Sequence, residues 1–485
     1  MSNIDRFIRK SVVDINPCIH GGKVAENIEL SGHELLDFSA NLNPMGPYEM
    51  DTIREIIGRA LEIIDNYPDN RYVEFKNSAA AFAGVKPENI IPTNGSSELI
   101  RLIAETILEY GDIVLLPQPT FGEYELSIKL MGATSENIEY REMYQGNGEI
   151  DEGLLSRSKV VFICNPNNPT GTLIAGSDLA RLAQKCQQNE TFLVVDEAFI
   201  ELSDPAQSIA GLVDNNPFVI VMRSMTKVFA IPGMRIGYGI AHRDLAARME
   251  NIRIPWNVGT IPDIVGSWLL DTHTKYPSYL ERTRQLIKKE RIWLTQRLSL
   301  IRGFYPVTSS TNFILIKIRE FGMDSGELTE RMRHQDILIR DCASFRRMGH
   351  DYIRVAVRTR EENQRLVDAL GESVAQWGRE LAEKNIDEAI HQGTIASRTN
   401  CEYYPCHFEG QDCTFCFCPF YPCLDERTGG HMVERQTGGE VWSCADCDMV
   451  HRAEVANSIL EALMACEDRP GDLKHIWKQV IEPLL

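Results

Sequence analysis

Short apolar runs alternate with longer amphipathic segments from about residue 89 onward. Six runs rich in β-branched residues are predicted to form strands: NIIPT, DIVLLP, VVFIC, FLVVDE, FVIVMRS and IGYGIA. Between the first two, the segment SSELIRLIAETILEY places Leu99, Ile103 and Ile107 on one face of a predicted helix. Continuous apolar strands separated by helices are typical of a parallel sheet covered on both faces. This part of the chain is therefore predicted to have an α/β fold.

The pattern changes after about residue 270. A long charged helix is predicted over 275–300, and TNFILIKI, ILIRDC and YIRVAV are predicted strands of a smaller α+β domain. The stretch 361–392 is polar, rich in glutamate and helical in pattern, and the remainder is rich in cysteine. We expect a two-part domain over 1–377, a helical linker over 378–395 and a separate cysteine-rich module over 396–485. Within the first, the large domain covers about 45–270, and the small domain is formed by the N-terminal segment and 271–377.

Composition narrows the range of partners. The 485 residues are 43% hydrophobic and 25% charged, as in an ordinary globular protein. Lys and Arg number 50 against 69 Asp and Glu, which gives a net charge of -19. Nucleic acids and anionic membranes require a basic face, so neither is an expected partner. The first twenty residues lack an apolar signal-peptide core, and no apolar run is long enough to span a bilayer, so we expect a cytoplasmic protein.

Polar side chains follow two of the predicted strands. After VVFIC comes NPNNPTG, where Asn168 can present an amide above the sheet, and FLVV leads directly to Asp196. Ligands of open α/β sheets bind at the carboxyl ends of the strands. Taken singly, Asn168 is better explained as a turn residue, and an aspartate that caps a turn, as Asp196 could, is equally common.

A lysine with apolar neighbours is the main chemical signal. In RSMTKVFAIPGMRIGY, Lys227 is followed by Val-Phe-Ala-Ile. Such a residue is either a lysine that reaches solvent from a strand end or an amine kept neutral to form a Schiff base. Burial favours the neutral form, which is the nucleophile.

A phosphate site is predicted beside this lysine. The segment NGSSEL follows a strand and opens a helix, so its backbone N–H groups and hydroxyls can bind an anion. Tyr124, in PTFGEY, is a candidate to stack on an aromatic ring. The further candidate phosphate ligands are Gly95, Ser96, Ser97, Ser224, Thr226 and Arg235. Together with Asn168, Asp196 and Lys227, this ordered set predicts pyridoxal phosphate, with Lys227 as the Schiff-base lysine and Asp196 paired with the pyridinium nitrogen.

Residues from about 18 to 377 resemble the aspartate-aminotransferase-like family of fold-type I pyridoxal phosphate enzymes. The resemblance is strongest to the branch that holds histidinol-phosphate aminotransferases and L-threonine-O-3-phosphate decarboxylases. It implies a large, mostly parallel-sheet domain with a small α+β domain. It also implies that Asn168 bonds the 3′-oxygen of the cofactor ring and that Arg354, in YIRVAVR, takes the substrate carboxylate. Finally, it implies that Tyr67, in NYPDN, reaches the cofactor phosphate of a neighbouring subunit, and hence a homodimer with shared active sites.

Several motifs resemble the decarboxylase branch. Aminotransferases of this group usually read Asp-Glu-Ala-Tyr where this chain reads DEAFI, with Phe199 in the tyrosine position. CIHGG, LDFSANLNP, IPWNVG and ILIRDCASFRRMGHDYIRVAVRT also resemble that branch. His20 and Arg340 are the candidate ligands of a substrate phosphate, although His20 could be a plain exposed histidine and Arg340 an ion-pair partner of Asp341. We expect decarboxylation of a small phosphorylated amino acid, L-threonine O-3-phosphate, with histidinol-phosphate transamination as the alternative.

The C-terminal module has nine of the 13 cysteines. Cys413/Cys416 and Cys444/Cys447 have the spacing of two metal knuckles, which suits tetrahedral zinc. A second site is expected from the remaining residues, Cys401, Cys406, Cys418, Cys423, His407 and His451, and an iron–sulfur cluster would use the same ligands. An alternative of another class is a metal- or redox-sensing protein with a vestigial enzyme domain. The intact set of Lys227, Asp196 and Arg354 argues against that loss of activity.

Overall fold

The computed structural model of the chain describes residues 4–22, 35–139, 143, 150–318, 322–401, 404–434, 440–465 and 469–485. The chain divides into two compact units. The first comprises residues 1–299, 303–318 and 324–366, and the second comprises 300–302, 319–323 and 367–485.

The first unit contains two sheets and a separate strand pair. Its strands are β1 (Leu36–Asp37), β2 (Ile90–Thr93), β3 (Ile113–Gln118), β4 (Thr134–Glu139), β5 (Val160–Cys164), β6 (Phe192–Asp196), β7 (Val219–Ser224), β8 (Gly237–Ala241), β9 (Phe304–Pro306), β10 (Phe313–Ile318), β11 (Ile337–Leu338), β12 (Arg340–Asp341) and β13 (Tyr352–Ala356). All six strands predicted for the α/β part are present, and β4 is an additional strand of mixed polarity.

Twelve helices lie in the described part of the first unit. They are α1 (Lys10–Val13), α2 (Met50–Ala60), α3 (Val73–Ala83), α4 (Gly95–Ile107), α5 (Glu123–Met131), α6 (Glu152–Ser156), α7 (Gly176–Gln188), α8 (Met225–Val228), α9 (Arg243–Ile252), α10 (Thr260–Lys275), α11 (Ser278–Leu298) and α12 (Ser325–Arg333). Helix α11 is the long charged helix that the sequence predicts over 275–300.

The central sheet has seven strands in the order β2-β8-β7-β6-β5-β3-β4. Strands β3 to β7 are parallel to one another, whereas β8 runs antiparallel to both β7 and β2. Only residues 225–236 connect β7 to β8. A crossover between parallel neighbours usually contains a full α-helix, whereas this link contains only the four-residue helix α8 and returns the chain in the opposite direction. The prediction of a mostly parallel sheet is confirmed.

Both faces of the central sheet are covered. In β5, Val161 and Ile163 pack in one buried cluster, while Val160, Phe162 and Cys164 pack in another. Successive side chains of a strand point to opposite faces, so the two clusters lie on opposite sides of the sheet. This explains why β5 reads as a continuous apolar run.

The smaller sheet has the order β12-β13-β10-β9 and is antiparallel. The segment ILIRDC, predicted as one strand, forms two short ones. Strand β11 pairs in parallel with β1, and β12 pairs with β13. The N-terminal segment LDFSANLNP thereby pairs, through β1, with the first strand of the ILIRDC segment.

Helix α13 (Arg360–Gln392) contains the boundary between the units at residue 366. The expected linker 378–395 therefore corresponds mainly to the C-terminal part of a continuous helix. The rest of the second unit contains the hairpin strands β14 (His431–Glu434) and β15 (Glu440–Ser443) and the helices α14 (Ala453–Met464) and α15 (Arg469–Ile476). Its apolar core includes Ile386, Phe415, Phe420, Ile459 and Leu460.

None of the helices in the described ranges is long and apolar enough to cross a membrane.

Candidate active site

Candidate functional residues gather where the central strands end. Strand β5 leads to Asn168, β6 ends at Asp196, and β7 ends at Ser224, three residues before Lys227. These three strands are parallel neighbours. Their carboxyl ends therefore lie at one edge of the sheet, where open α/β sheets bind ligands.

Asp196 is buried, with 4% of its surface exposed. Its Oδ1 accepts a hydrogen bond from the N–H of Ala198 (3.0 Å), and its Oδ2 accepts one from the Tyr124 hydroxyl (2.6 Å). Burial raises the pKa of Asp196, and the bond from Tyr124 opposes that rise. A buried carboxylate of this kind is stabilised by a cationic partner such as a protonated ring nitrogen.

Tyr124 supports Asp196 and has no exposed surface for a ligand. It is 0% exposed, and its ring stacks on Phe162 at a centroid distance of 5.1 Å. The expectation that Tyr124 stacks on a cofactor ring does not agree with this burial. Phe121, three residues earlier, is partly exposed and lines the cavity described below. Phe121 is therefore the better candidate for a ring contact.

Lys227 lies in helix α8 and is partly buried. Burial lowers its pKa to about 8, and the positive charges of Arg354 and Arg235 act in the same direction. A larger fraction of this amine is therefore neutral near pH 7 than for a free lysine. Neutral amines are the nucleophiles that attack aldehydes, so Lys227 is suited to hold a carbonyl cofactor covalently.

The N-terminus of α4 lies against Arg235. Gly95 has φ of +74°, and a Cβ atom there would lie 2.7 Å from Nη2 of Arg235. Glycine therefore permits both the left-handed backbone and the close approach of the guanidinium. The next two residues, Ser96 and Ser97, are partly exposed and exposed, respectively. A helix N-terminus beside a guanidinium and hydroxyls is an anion-binding arrangement.

Two buried hydroxyls lie next to this helix start. Oγ of Ser224 and Oγ1 of Thr226 are 2.8 Å apart. Ser224 pairs with Gly237 across the sheet, and a Cβ on Gly237 would lie 3.3 Å from the backbone nitrogen of Ser96. The structure thus brings together the residues predicted to bind a phosphate.

Arg354 and Asn168 form a second pair over the sheet edge. Arg354 is 5% exposed, donates to Oδ1 of Asn168, and donates from Nη2 to the carbonyl oxygen of Ser39 (3.1 Å). Its buried Nε has no hydrogen-bond partner. Burial lowers the pKa of Arg354 to about 10. A buried guanidinium with an unused donor is suited to bind a carboxylate.

A cavity of about 90 Å³ opens beside this pair. Arg340 donates from Nη2 to the carbonyl oxygen of Ile19 (2.7 Å) and to Oγ of Ser344 (2.7 Å). The polar and aromatic residues that line this cavity include His20, Phe121, Asn168, Arg340, Ser344 and Arg354. The residues predicted to bind substrate therefore line one cavity.

The sequence motifs do not identify two polar residues of this region. Glu123, the first residue of α5, lies with Oε1 2.8 Å from Nε2 of His20. Ser344 bonds Arg340 and lines the cavity. Neither belongs to a motif with its own chemical signature. The position of Ser344 four residues after Arg340 is the one local signal available.

The family model described as aminotransferase class I and II matches residues 34–370. The chain belongs to this family. A protein of Caldanaerobacter subterraneus with the provisional name threonine-phosphate decarboxylase is 33% identical over 73% of the chain and 94% of its own length. Histidinol-phosphate aminotransferases are more numerous among the relatives, and that of Symbiobacterium thermophilum is 31% identical over 75% of the chain and 97% of its own length.

Solved structures agree with the fold. The crystal structure of histidinol-phosphate aminotransferase from Clostridium acetobutylicum matches with a TM-score of 0.62 and 28% identity, over 70% of this chain and 98% of the other. The chain is therefore a pyridoxal-phosphate-dependent enzyme of the aminotransferase fold. A second family model, described as a cysteine-rich small domain, matches residues 392–471.

The site residues fit the cofactor of the aminotransferase family. Asp196 provides a buried carboxylate, Lys227 an amine with a lowered pKa, and the α4 N-terminus with Arg235 an anion cradle. These three features match the ring nitrogen, the aldehyde and the phosphate of pyridoxal phosphate, respectively.

Phe199 is a buried apolar residue that packs against another aromatic ring. It is 5% exposed, and its ring meets Phe313 edge to face at 5.1 Å. The guanidinium carbon of Arg354 lies 5.2 Å from the centre of the Phe313 ring. Phe199 thus packs on Phe313, the ring that Arg354 contacts, and offers no hydroxyl to a ligand.

Tyr67 lies in a different groove. It is 79% exposed and stacks on Trp256 with ring centroids 4.4 Å apart. The groove has a volume of about 630 Å³, and its lining includes Ile64, Pro68 and Pro262. Within one chain, Tyr67 is therefore not among the residues that line the cavity of Arg354.

The cysteines of the C-terminal module are all unpaired thiols among the described residues. Within the same part of the chain, no three His, Cys, Asp or Glu side chains lie close enough together to hold a metal ion. The predicted ligands are nevertheless gathered in one small unit.

Proposed function

We propose that the chain decarboxylates L-threonine O-3-phosphate to (R)-1-aminopropan-2-ol O-phosphate and carbon dioxide. The observation that carries this proposal is the cavity in which His20, Arg340 and Arg354 meet. Phosphothreonine has two anionic groups and a short backbone. Two buried guanidinium groups in one small cavity suit such a substrate.

The proposed roles follow from the contacts. Arg354, held by Asn168 and Ser39, binds the substrate carboxylate through its free Nε. Arg340, with Ser344, and His20 bind the substrate phosphate. Two anchor points at opposite ends of a short substrate fix its rotation. That rotation decides which bond to the α-carbon is broken.

Pyridoxal phosphate, when bound, supplies the electron sink for this reaction. Asp196 holds the ring nitrogen in its protonated form, and Tyr124 orients Asp196. The Nζ of Lys227 can take up or deliver a proton near the α-carbon, because its pKa of about 8 is near physiological pH.

The product suggests a place in metabolism. We propose that the phosphorylated aminopropanol serves as the linker precursor in cobalamin biosynthesis. The provisional name of the Caldanaerobacter relative supports the decarboxylase reaction on which this proposal depends.

Histidinol-phosphate transamination is the second candidate, because relatives of that name cover the same span of the chain. One experiment separates the two. The purified enzyme is incubated with phosphothreonine alone and, separately, with histidinol phosphate plus 2-oxoglutarate, and the products are identified. The proposal requires aminopropanol phosphate in the first incubation, whereas glutamate formed only in the second supports the alternative.

We also propose a homodimer in which Tyr67 reaches the cofactor phosphate of the partner. The exposed Tyr67–Trp256 stack and the apolar groove around it support this proposal. Exposed apolar surface of this kind marks interaction sites. Sedimentation should give twice the chain mass, and a monomeric active enzyme would contradict the proposal.

Finally, we propose that the cysteine-rich module binds zinc or an iron–sulfur cluster. The match to a cysteine-rich small domain and the unpaired state of its thiols support this. Thiolates are the preferred ligands of both metals. Metal analysis of protein purified without oxygen tests the proposal, since zinc is colourless and iron–sulfur clusters contain acid-labile sulfide.

A further inference from the structure

The eight cysteines between residues 401 and 447 fall into two groups that follow chain order. We define the first set as Cys401, Cys406, Cys413 and Cys416, and the second set as Cys418, Cys423, Cys444 and Cys447. This grouping differs from the expected one, in which Cys413/Cys416 and Cys444/Cys447 share a site.

The first set is organised around Gln411. Its Nε2 donates to Sγ of Cys406 (3.0 Å) and to Sγ of Cys413 (3.6 Å), so one side chain bridges both thiols. The N–H of Cys416 donates to the carbonyl oxygen of Cys413 (3.3 Å), which closes a tight turn. The N–H of Tyr404 donates to the carbonyl oxygen of Cys401 (3.0 Å), and the Tyr404 hydroxyl accepts from the N–H of Gly410 (2.9 Å), the residue before Gln411. The turn that begins at Cys401 is therefore held against the segment that contains Gln411.

In the second set, Cys423 lies in the loop that follows Cys418. Sγ of Cys423 lies 3.8 Å from Oγ1 of Thr428. A Cβ on the next residue, Gly429, would lie 3.6 Å from Cα of Cys447. The loop that carries Cys423 is thus packed directly on the loop that carries Cys447.

A hydrogen bond and a turn complete this second set. The Tyr421 hydroxyl donates to the carbonyl oxygen of Trp442 (3.0 Å), and the N–H of Cys447 donates to that of Cys444 (3.1 Å). The N–H of Tyr421 donates to the carbonyl oxygen of Cys418 (3.2 Å), so the same tyrosine connects the turn at Cys418 with the strand that leads to Cys444.

We propose that the first set binds one metal ion and the second set binds another. The inference rests on the proposed metal binding by the module and adds the division of its ligands. Four thiolates complete a tetrahedral site for zinc, and the same donors suit iron. His407 and His451 are then not required as ligands. His451 is 5% exposed and bonds the carbonyl oxygen of Asp412 through Nδ1 (2.9 Å), which gives it a structural role.

Metal binding must draw the thiolates of each set together, because no three of the described metal-ligating side chains are at coordination distance. Affinity for metal is then linked to ordering of the module. The two turns, 413–416 and 444–447, present two thiolates each before any ion binds.

The test measures metal and sulfide per chain in the full-length protein, purified under reducing, oxygen-free conditions. We expect two zinc ions, or iron and sulfide at both sites, in the unchanged protein. Cys406→Ser with Cys416→Ser removes one site and leaves one. Cys416→Ser with Cys447→Ser removes both. His451→Ala and the control Cys186→Ser, a buried thiol outside the module, retain two.

The proposed division of the ligands is overturned by the reverse pattern, while metal binding itself is not. In that pattern, the protein with Cys406→Ser and Cys416→Ser (the 406/416 variant) binds no metal, and the protein with Cys416→Ser and Cys447→Ser (the 416/447 variant) retains one ion. One ion in the unchanged protein also overturns the division. No metal at all contradicts the proposed metal-binding function itself. The retained site in the 406/416 variant is decisive even if the 416/447 variant unfolds its module.

Discussion

Tyr124 donates a hydrogen bond of 2.6 Å from its hydroxyl to Oδ2 of Asp196. Both side chains are buried, and burial raises the pKa of Asp196. The bond lowers that pKa and so favours the carboxylate form. Since the protonated ring nitrogen of the cofactor requires an anionic partner, we predict that Tyr124 contributes to catalysis through Asp196.

Tyr124→Phe should therefore weaken catalysis and cofactor binding together. A hydrogen bond to a charged group contributes about 1.5–3 kcal/mol, so we expect kcat/KM to fall at least about tenfold. The ring packing on Phe162 is retained in this variant. Steady-state kinetics and cofactor titration measure the effect. Tyr110→Phe, at a position 91% exposed, is the matched control and should change neither value.

The lowered pKa of Lys227 should set the pH dependence of cofactor loading. Below a pKa of about 8, the neutral fraction of the amine increases about tenfold per pH unit, and above it the fraction is constant. The initial rate at which cofactor-free enzyme takes up pyridoxal phosphate should follow this curve. Lys227→Arg should form no covalent adduct at any pH. A rate that still climbs steeply above pH 9 would show an unperturbed lysine.

Arg354→Ala should lose most of the activity. Loss of one partner of a buried charge pair costs about 2–5 kcal/mol, which corresponds to a fall in kcat/KM of at least about 30-fold. Arg354→Lys should recover little, because an ammonium group cannot bond Asn168 and a carboxylate in the same plane. Arg347→Ala removes an exposed arginine that pairs with Glu139 and serves as the control. Equal activity in the Arg354 and Arg347 variants would exclude the proposed carboxylate contact.

Glu123→Gln should raise KM for phosphothreonine and leave kcat nearly unchanged. The Oε1 of Glu123 lies 2.8 Å from Nε2 of His20, and this partly exposed contact is expected to contribute about 0.5–1.5 kcal/mol, or roughly twofold to tenfold in KM. Glu136→Gln, which breaks an ion pair with Arg157, is the control. A fall in kcat with constant KM would show that Glu123 acts in the chemical step instead.

Much of the fold could be predicted from the sequence, because strands buried on both faces read as unbroken apolar runs. Strand β4 is not visible in the apolar pattern, since Thr134–Glu139 is polar and pairs at the sheet edge with β3 alone. The reversal of β8 depends on a connection to β7 that lacks a long helix, which the apolar pattern of the strands does not report.

Those residues of the candidate site that are rarely buried without a chemical function could be predicted from the sequence. Lys227 and Asp196 follow strands and have apolar neighbours, so their setting is visible in the sequence. The role of Tyr124 was not visible, because an aromatic ring near a predicted site can face the ligand or the core. The sets of cysteines depend on Gln411 and on the packing of Gly429, which cysteine spacing alone does not specify.

Release of carbon dioxide from carboxyl-labelled phosphothreonine tests the central claim most directly. The enzyme, loaded with pyridoxal phosphate and given no 2-oxo acid, should release labelled carbon dioxide in proportion to the aminopropanol phosphate formed. Lys227→Ala should release none above background. If no label is released, and added 2-oxoglutarate is converted to glutamate while the label stays in the organic product, the enzyme is a transaminase and the account is wrong.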